Sequence, residues 1–453
     1  MLEAGLENFE EGVLDLISPE LTVYEQADFL PYDKKWEFPR EKLKLGERLG
    51  SGEFGVVLKA EATKIIADQH TTIVAVKRTH KNAEFVSIQA LVRELKIMVH
   101  LGQHLNVVNL LGACTKNIGK RELLVIVEYC EFGNLQSYLC SHRDHFVDQI
   151  DQTTGKIDLS VGNNINSMIS SNNDSNDEDI IYYAGTNDSI VSTGLNDSHN
   201  SSYCNFEGFD INQNSKPIFT QDLISWAFQV ARGMEYLFRR KVLHCDLAAR
   251  NILLAKNNVV KICDFGLSKS IHRDGIYKKQ SNEKLPLKWT AIESIRDRVY
   301  STKSDVWSFG IMLWEFFTLA DDPYPDMTAL EAYQHIIEGY RMKQPPYATK
   351  DIYNIMLCCW EADPVLRPSF TDLVESLGKF LEDDIKEYLI KLNHMYENIN
   401  GIGRLEGHYD YLALMSSPDR IELMSPSHEY VDVPSQAMNS VSANMINDNP
   451  RTI

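Results

Sequence analysis

Asp246 and Asn251 stand five residues apart in the stretch Val242-Leu-His-Cys-Asp-Leu-Ala-Ala-Arg-Asn-Ile-Leu-Leu254. An Asp that accepts a hydroxyl proton and an Asn that helps hold a phosphate-neutralising metal together suit phosphoryl transfer. The same two residue types also read as plain turn formers, so the rest of the chain must decide. Asp264 ends the apolar run Val259-Val-Lys-Ile-Cys263 and is followed by Phe265 and Gly266. A carboxylate placed there can bind Mg2+, which prefers oxygen ligands. Lys77 ends Ile73-Val-Ala-Val-Lys77, where a strand would hold a phosphate-binding lysine rigidly. Glu94, in Ala90-Leu-Val-Arg-Glu-Leu-Lys-Ile-Met98, could reach inward to it. Each of these charges read singly is a solvated surface group; read in order, the ion pair is the better reading.

The elements that must position these groups follow from pattern. Gly50-Ser-Gly-Glu-Phe-Gly55 has GxGxxG spacing, which alone is weak because dinucleotide folds and ordinary turns share it. A dinucleotide fingerprint opens a helix, whereas these glycines lead into the β-prone Val56-Val-Leu-Lys-Ala60. The loop is therefore expected as a hairpin whose backbone N–H groups approach phosphates, and a dehydrogenase reading fails. Leu91, Leu95 and Met98 share a helical face. Val107–Ala113 and Leu123–Tyr129 read as buried strands, the second ending in the bend Cys130-Glu-Phe-Gly-Asn134. Leu223, Ala227, Val230 and Met234 give a helix that delivers the chain to the Asp246 loop. Ser304–Trp314 is apolar nearly all round, hence a buried helix, with Asp305 at its start able to cap that loop.

The 453 residues allow two or three domains, and 43% hydrophobic content permits a large core. A net charge of -19 argues against nucleic acid as a partner. Eight scattered cysteines without CxxC spacing suit reduced thiols, and no apolar run is long enough to span a bilayer. Residues about 143–216 are rich in Asn, Ser and Asp, a composition expected to stay disordered. Within them Tyr203-Cys-Asn205 has the Tyr-x-Asn pattern favoured by SH2 adaptors; a chance tripeptide weighs equally. Residues 1 to about 40 are either a flexible leader or a segment that docks on the domain and leaves when tyrosines such as Tyr24 are modified. Beyond Phe380 the tail is polar, and Tyr396-Glu-Asn398, Tyr409, Tyr411 and Tyr430 stand in contexts expected to be exposed. Tyr353 shares a helical face with Ile352, Met356 and Cys359 and is expected in a core.

The ordered set of glycine loop, Lys77, Glu94, His244–Asn251 and Asp264-Phe-Gly266 resembles the protein kinase signature. Asp246-Leu-Ala-Ala-Arg-Asn251 and Leu285-Pro-Leu-Lys-Trp289 resemble its tyrosine-specific branch. His104–Cys114, Val125–Leu135 and the long insert resemble receptor tyrosine kinases of the PDGF and VEGF receptor type, with the invertebrate PDGF/VEGF-receptor-related branch nearest. The resemblance implies an α+β, bilobal fold: a small antiparallel sheet with one helix, then a mainly helical lobe carrying a long disordered insert. It implies a juxtamembrane-like segment at 1–42 and a kinase domain at 43–379, divided into lobes at 43–130 and 131–379 with the insert at about 143–216. A tail with candidate phosphotyrosines follows at 380–453.

The family further implies ATP and Mg2+ as cofactors. Leu49, Gly50, Ser51, Gly52, Glu53, Phe54, Gly55 and Val57 would cover ATP, and Ala75, Val127, Glu128, Cys130 and Leu253 would frame the adenine. Lys77 would hold the α- and β-phosphates and Glu94 would orient it. Asp246 would be the base, Arg250 would orient the substrate hydroxyl, and Asn251 and Asp264 would be metal ligands. Implied partners are protein tyrosine substrates, SH2 adaptors, a second copy on activation, and a growth factor bound through an absent ectodomain. The chain would lie at the cytoplasmic face of the plasma membrane as part of a receptor, or in the cytoplasm if complete.

Two departures matter. His244-Cys245-Asp246 replaces His-Arg-Asp, so the arginine that receives a phosphorylated activation loop is missing. A cysteine cannot make that charge-assisted pair, which predicts weaker dependence on loop phosphorylation or a lower basal rate. Ala291-Ile-Glu293 replaces Ala-Pro-Glu, yet Glu293 can still pair with Arg367. Tyr277, between residues 267 and 288, is the expected autophosphorylation site. The rival reading is a catalytically weak or dead kinase-fold scaffold phosphorylated by a partner kinase, which Cys245 keeps open.

Overall fold

A computed structural model describes residues 9–415, apart from 22, 53–54, 67–68, 81–82, 84, 121, 162–216, 266–286 and 406–409, together with 421–422. The first lobe is a five-stranded antiparallel sheet in the order β1-β2-β3-β5-β4. Its strands are β1 (Leu43–Gly52), β2 (Gly55–Thr63), β3 (Thr71–Arg78), β4 (Leu110–Cys114) and β5 (Leu124–Glu128). The glycine stretch is a hairpin, with Gly52 opposite Gly55. Register places Lys77 opposite both Val57 and Val125. One sheet face buries Leu43, Ala60, Ala62, Val74, Val76 and Ile126 in a small core of their own.

Before the sheet comes the single turn α1 (Val23–Gln26). The sheet's other layer is α2 (Phe85–Leu101), which buries Leu91, Leu95 and Met98 as periodicity requires. The second lobe holds α3 (Leu135–Ser141), α4 (Thr220–Arg239), α5 (Ile292–Arg296), α6 (Thr302–Phe317), α7 (Ala329–Ile337), α8 (Lys350–Cys359), α9 (Phe370–Gly378) and α10 (Asp383–Leu405). Helix α6 is buried along nearly its whole length, with Trp307, Phe309, Phe316 and Phe317 at its centre. Helix α8 packs on it and α9 packs on α4. The short pair β6 (Ile252–Leu254) and β7 (Val260–Ile262) flanks the Asp246 loop.

Three sequence expectations need correction, and one left open is decided. The strand expected at Val107–Ala113 is Leu110–Cys114 only. Its first residues bond to β7 instead, through Val108 N–H to Ile262 O at 2.9 Å and Ile262 N–H to Asn106 O at 3.0 Å. The expected insert begins later, because residues 143–161 are tied down. Arg143 donates to Leu319 O and Asp321, and Phe146-Val147 pairs in parallel with Ile218-Phe219.

The leader is docked. Val23, Ala27 and Leu30 are buried in the main core. Asp28 accepts two bonds from Arg93 at 2.9 and 2.6 Å, and its carbonyl accepts from Lys96 at 2.7 Å. The tail is not simply polar and exposed either: α10 lies on the domain, burying Leu389 and Asn393. Tyr396 on it is half-buried, with Lys261 Nζ 5.0 Å from its ring. Tyr411 is half-buried against His100. A 23-residue helix with acidic residues in its first turn hides its core contacts among polar residues that bond to backbone. Tyr353 is partly buried as expected, its hydroxyl donating to Met342 O at 2.8 Å.

Candidate active site

The cleft between the lobes gathers the five side chains that the sequence scatters from 77 to 264. Lys77 Nζ lies 2.9 Å from Glu94 Oε1 and 2.6 Å from Asp264 Oδ1. Strand β3 fixes the lysine, and α2 presents the glutamate from the layer behind. Asn251 Nδ2 donates to Asp246 O at 2.7 Å and to Asp246 Oδ2 at 2.9 Å. Cys263 N–H donates to Asn251 O at 3.0 Å, which ties the Asp264 turn to the Asp246 loop. Asp264 and Cys245 both have positive φ, 56° and 67°. For residues with a Cβ these are strained positions, held by the surrounding bonds.

Those bonds are specific. Asp305, at the start of α6, accepts from His244 N–H and Cys245 N–H, both at 2.8 Å, so the cap expected from sequence is formed. His244 is fully buried, and its Nε2 meets Cys263 O at 3.0 Å. Arg250 pairs with Asp246 and stacks over Trp289 at 4.6 Å. Glu293 Oε1 and Oε2 accept from Arg367 at 2.7 and 2.9 Å, so the pair survives the Pro-to-Ile departure.

Electrostatics follow from burial and pairing. Burial alone would push the Lys77 ammonium down, but Asp264 and Glu94 more than reverse this and leave it raised. Lys77 holds Asp264 below the usual carboxylate range, against burial. Burial raises Glu94, and Lys77 offsets only part of that. The site therefore presents a fixed ammonium beside an ionised carboxylate.

The glycine hairpin turns beside the end of β3 that carries Lys77. A Cβ on Gly55 would meet Arg78 O at 2.0 Å, so the close approach of β2 to the end of β3 demands glycine. Gly50 and Gly52 have nothing within 4 Å of a built Cβ, so they leave room for a ligand. Leu49 and Ser51 are exposed along the hairpin. Val57 lies opposite Lys77, Ala75 pairs Val127 across the sheet, Glu128 ends β5 just before Cys130, and Leu253 bridges Asn134. Glu53, Phe54, Tyr203, Tyr277, Tyr409 and Tyr430 lie outside the described residues. Tyr24 is half-buried, its hydroxyl donating to Leu243 O just before the loop.

The donor set fits a magnesium nucleotide. Asn251 commits its Nδ2 to Asp246 and keeps Oδ1 as an acceptor, and Asp264 supplies a partly exposed carboxylate. Two oxygen donors completed by phosphates is the usual Mg2+ arrangement. Among the described residues no cluster of three or more His, Cys, Asp or Glu could hold a metal by itself.

Two networks escaped sequence reasoning. Glu315, buried in α6, accepts from Ala249 N–H and Trp289 Nε1, both at 2.9 Å. Burial raises it to about 7. Lys261, 5% exposed, pairs with Glu128 Oε2 at 2.9 Å, and Asn109 Nδ2 donates to the same oxygen at 2.9 Å. The available signal was a charge inside an apolar run, in Trp314-Glu-Phe and Val260-Lys-Ile.

A two-lobed cleft with a lysine–glutamate pair, a loop carboxylate and oxygen donors for a metal defines a phosphotransferase of the protein kinase class. Residues 43–377 match the family described as protein tyrosine and serine/threonine kinase, and the chain belongs to that family. It is 47% identical over 377 residues to vascular endothelial growth factor receptor 1 of Rattus norvegicus, covering 81% of this chain and 27% of that protein. It is 46% identical over 380 residues to the Homo sapiens receptor 1, with the same coverage. To receptor 3 of Coturnix coturnix it is 44% identical over 384 residues, covering 84% of this chain and 27% of that protein. The chain thus spans about a quarter of the length of these relatives.

Proposed function

We propose that this chain transfers the γ-phosphoryl group of ATP to protein tyrosine residues, its own included, as the kinase portion of a growth-factor receptor of the PDGF and VEGF receptor type. One observation carries the reading: Lys77 Nζ within 3 Å of both Glu94 and Asp264, beside an Asp246–Asn251 pair. Lys77, held by Glu94, binds the α- and β-phosphates. Asp246 takes the proton from the attacking tyrosine hydroxyl, and Arg250 orients that hydroxyl. Asn251 and Asp264 hold Mg2+, which when bound neutralises charge on the phosphates. The gain comes from positioning and electrostatics rather than covalent chemistry.

The receptor setting belongs to the same proposal. It includes a growth factor bound through an ectodomain, pairing of two copies on activation, SH2 adaptors at modified tyrosines, and a place at the cytoplasmic face of the plasma membrane. No helix among the described residues is long and apolar enough to cross a membrane. Within the family we place the chain with the invertebrate PDGF/VEGF-receptor-related branch, on the resemblance of His104–Cys114 and Val125–Leu135. Cys245 alone favours a dead scaffold, but its backbone N–H is capped by Asp305 and it supplies none of the five gathered side chains.

The test is Mg·ATP-dependent phosphorylation of a tyrosine polymer by the purified chain, with Asp246→Asn and Lys77→Met as controls of unchanged thermal stability. Turnover that both variants abolish supports the reading. No turnover by the parent chain, or turnover that survives Asp246→Asn, overturns it.

A further inference from the structure

The connection from α2 to β4, residues 102–109, fixes the end of the helix that presents Glu94. It is held from outside by α10. Asn400 Oδ1 accepts from Gln103 N–H at 2.8 Å, and Asn400 Nδ2 donates to Gln103 O at 2.8 Å. Asn393, 3% exposed, accepts from Leu105 N–H at 3.0 Å. Lys261 Nζ donates to Leu105 O at 2.8 Å and lies 5.0 Å from the Tyr396 ring centre. All four backbone polar groups of Gln103 and Leu105 are therefore bonded by side chains, three of them from α10. Residues 393, 396 and 400 share one face of that helix by spacing. Gly102 has φ +83°, and a Cβ there would meet Asn400 Oδ1 at 2.9 Å, so the connection is shaped to this contact. The carbonyl of Leu101 accepts from Tyr236 and Arg240 of α4 and its C-cap, at 2.6 and 3.0 Å. The end of α2 is thus tied to the second lobe through two helices.

We infer that α10 braces the catalytic helix, that Asn393 and Asn400 are positioning residues for the Lys77–Glu94 pair, and that phosphorylation of Tyr396 releases the brace. The modification half rests on the tyrosine-kinase reading; the brace half does not. The Tyr396 hydroxyl oxygen forms the new bond to the γ-phosphorus of ATP, and the bond to the β,γ-bridging oxygen breaks as ADP leaves. The hydroxyl proton passes to the Asp246 carboxylate of the copy that acts. The half-buried ring must leave Lys261 before its hydroxyl can enter an active site. Phosphate then adds about −1.5 to −2 charge beside Glu128, where Lys261 is already ion-paired. The phosphorylated helix is kept from redocking, and the Tyr396-Glu-Asn398 motif stays free.

Hydrogen exchange of the full chain tests this without relying on turnover. The double variant Asn393→Ala/Asn400→Ala and Tyr396→Glu are expected to speed exchange across residues 100–109 by about fivefold or more, given the usual worth of such bonds. Tyr396→Phe keeps the ring over Lys261 and should match the parent. In kinetics, the first two variants should lose about threefold to tenfold in kcat at unchanged KM for a tyrosine polymer, and Tyr396→Phe should lose nothing. After incubation with Mg·ATP, phosphate on Tyr396 should accompany faster exchange at 100–109. Unchanged exchange or unchanged kcat in the double variant overturns the brace. Unchanged or slower exchange in chain phosphorylated at Tyr396, or no phosphate there in an active chain, overturns the release. A parent chain without turnover sinks the kinase reading and leaves exchange to judge the brace.

Discussion

At the residue scale, the chemistry converges on Asp246. Replacing it by Asn removes the proton acceptor while keeping an oxygen for Asn251 Nδ2, which now bonds Asp246 at 2.9 Å. Asp246→Asn should lower kcat by about 10²–10⁴-fold with little change in thermal midpoint, as steady-state assays and calorimetry will check. Cys245 predicts a different effect. An arginine there could form charge-assisted bonds with a phosphorylated loop, each worth about 1.5–3 kcal/mol. Cys245→Arg should therefore raise the ratio of rates after and before autophosphorylation by about tenfold; an unchanged ratio would count against the role assigned to this position. Glu315 gives a pH signature. Its ordinary value of 4.5 rises to about 7 on burial, so the fold favours the protonated form. The resulting stabilisation is full below about pH 4.5 and is lost as pH rises through about 7, up to about 3 kcal/mol. Glu315→Gln, which keeps an acceptor for Ala249 and Trp289, should flatten the slope of stability between pH 5 and 8 in denaturant titrations.

Elements hold these residues through close approaches as much as through bonds. Gly310 in α6 faces α8, and a Cβ there would lie 2.6 Å from Trp360 Nε1 and 2.7 Å from Cys359 Cβ. Trp360 is 1% exposed and has no room to retreat. Alanine gains about 1 kcal/mol of helix propensity over glycine, but overpacking costs about 1–3 kcal/mol. Gly310→Ala should therefore be net destabilising, by up to about 2 kcal/mol, in urea unfolding. A stabilised variant would show that α8 can shift. The hairpin, the α2 helix and α6 were all legible beforehand, because period-2 and period-3.6 patterns report which face a segment buries. The Asp305 cap and the Glu293–Arg367 pair were legible too, since each joins a charge to a partner whose place the fold class fixes.

At the scale of the whole molecule, both ends of the described chain close over the back of α2. Leader residues Val23, Ala27, Leu30 and Tyr32 enter the main core, and Phe38 enters the sheet's own core. Removing residues 1–38 would expose their partners and leave Arg93 and the nearly buried Lys96 without Asp28. With about 1.5–3 kcal/mol for each large apolar side chain, truncation should cost at least about 3 kcal/mol. Differential scanning calorimetry of the truncated and longer chains checks this. An equal midpoint would mean that the docked leader adds nothing to the fold. From the other end, Asp410 accepts two bonds from Arg240 at 2.7 and 2.9 Å, and Leu412 and Met415 are fully buried.

The amino-acid sequence alone determined the residue types, their order, and the local elements that carry them. Those features depend on neighbours within a turn or a strand pair, and Lys77, Glu94, Asp246, Asn251 and Asp264 could be assigned chemistry on that basis. Only the tertiary structure decided between a loose leader and a docked one. It also turned the polar tail into a helix gripping Gln103 and Leu105, and buried Glu315 beneath the catalytic loop. The physical reason is that these outcomes rest on contacts between segments 26 to 297 residues apart. There a side-chain amide or carboxylate meets a particular backbone group, and no periodicity in the chain encodes that meeting.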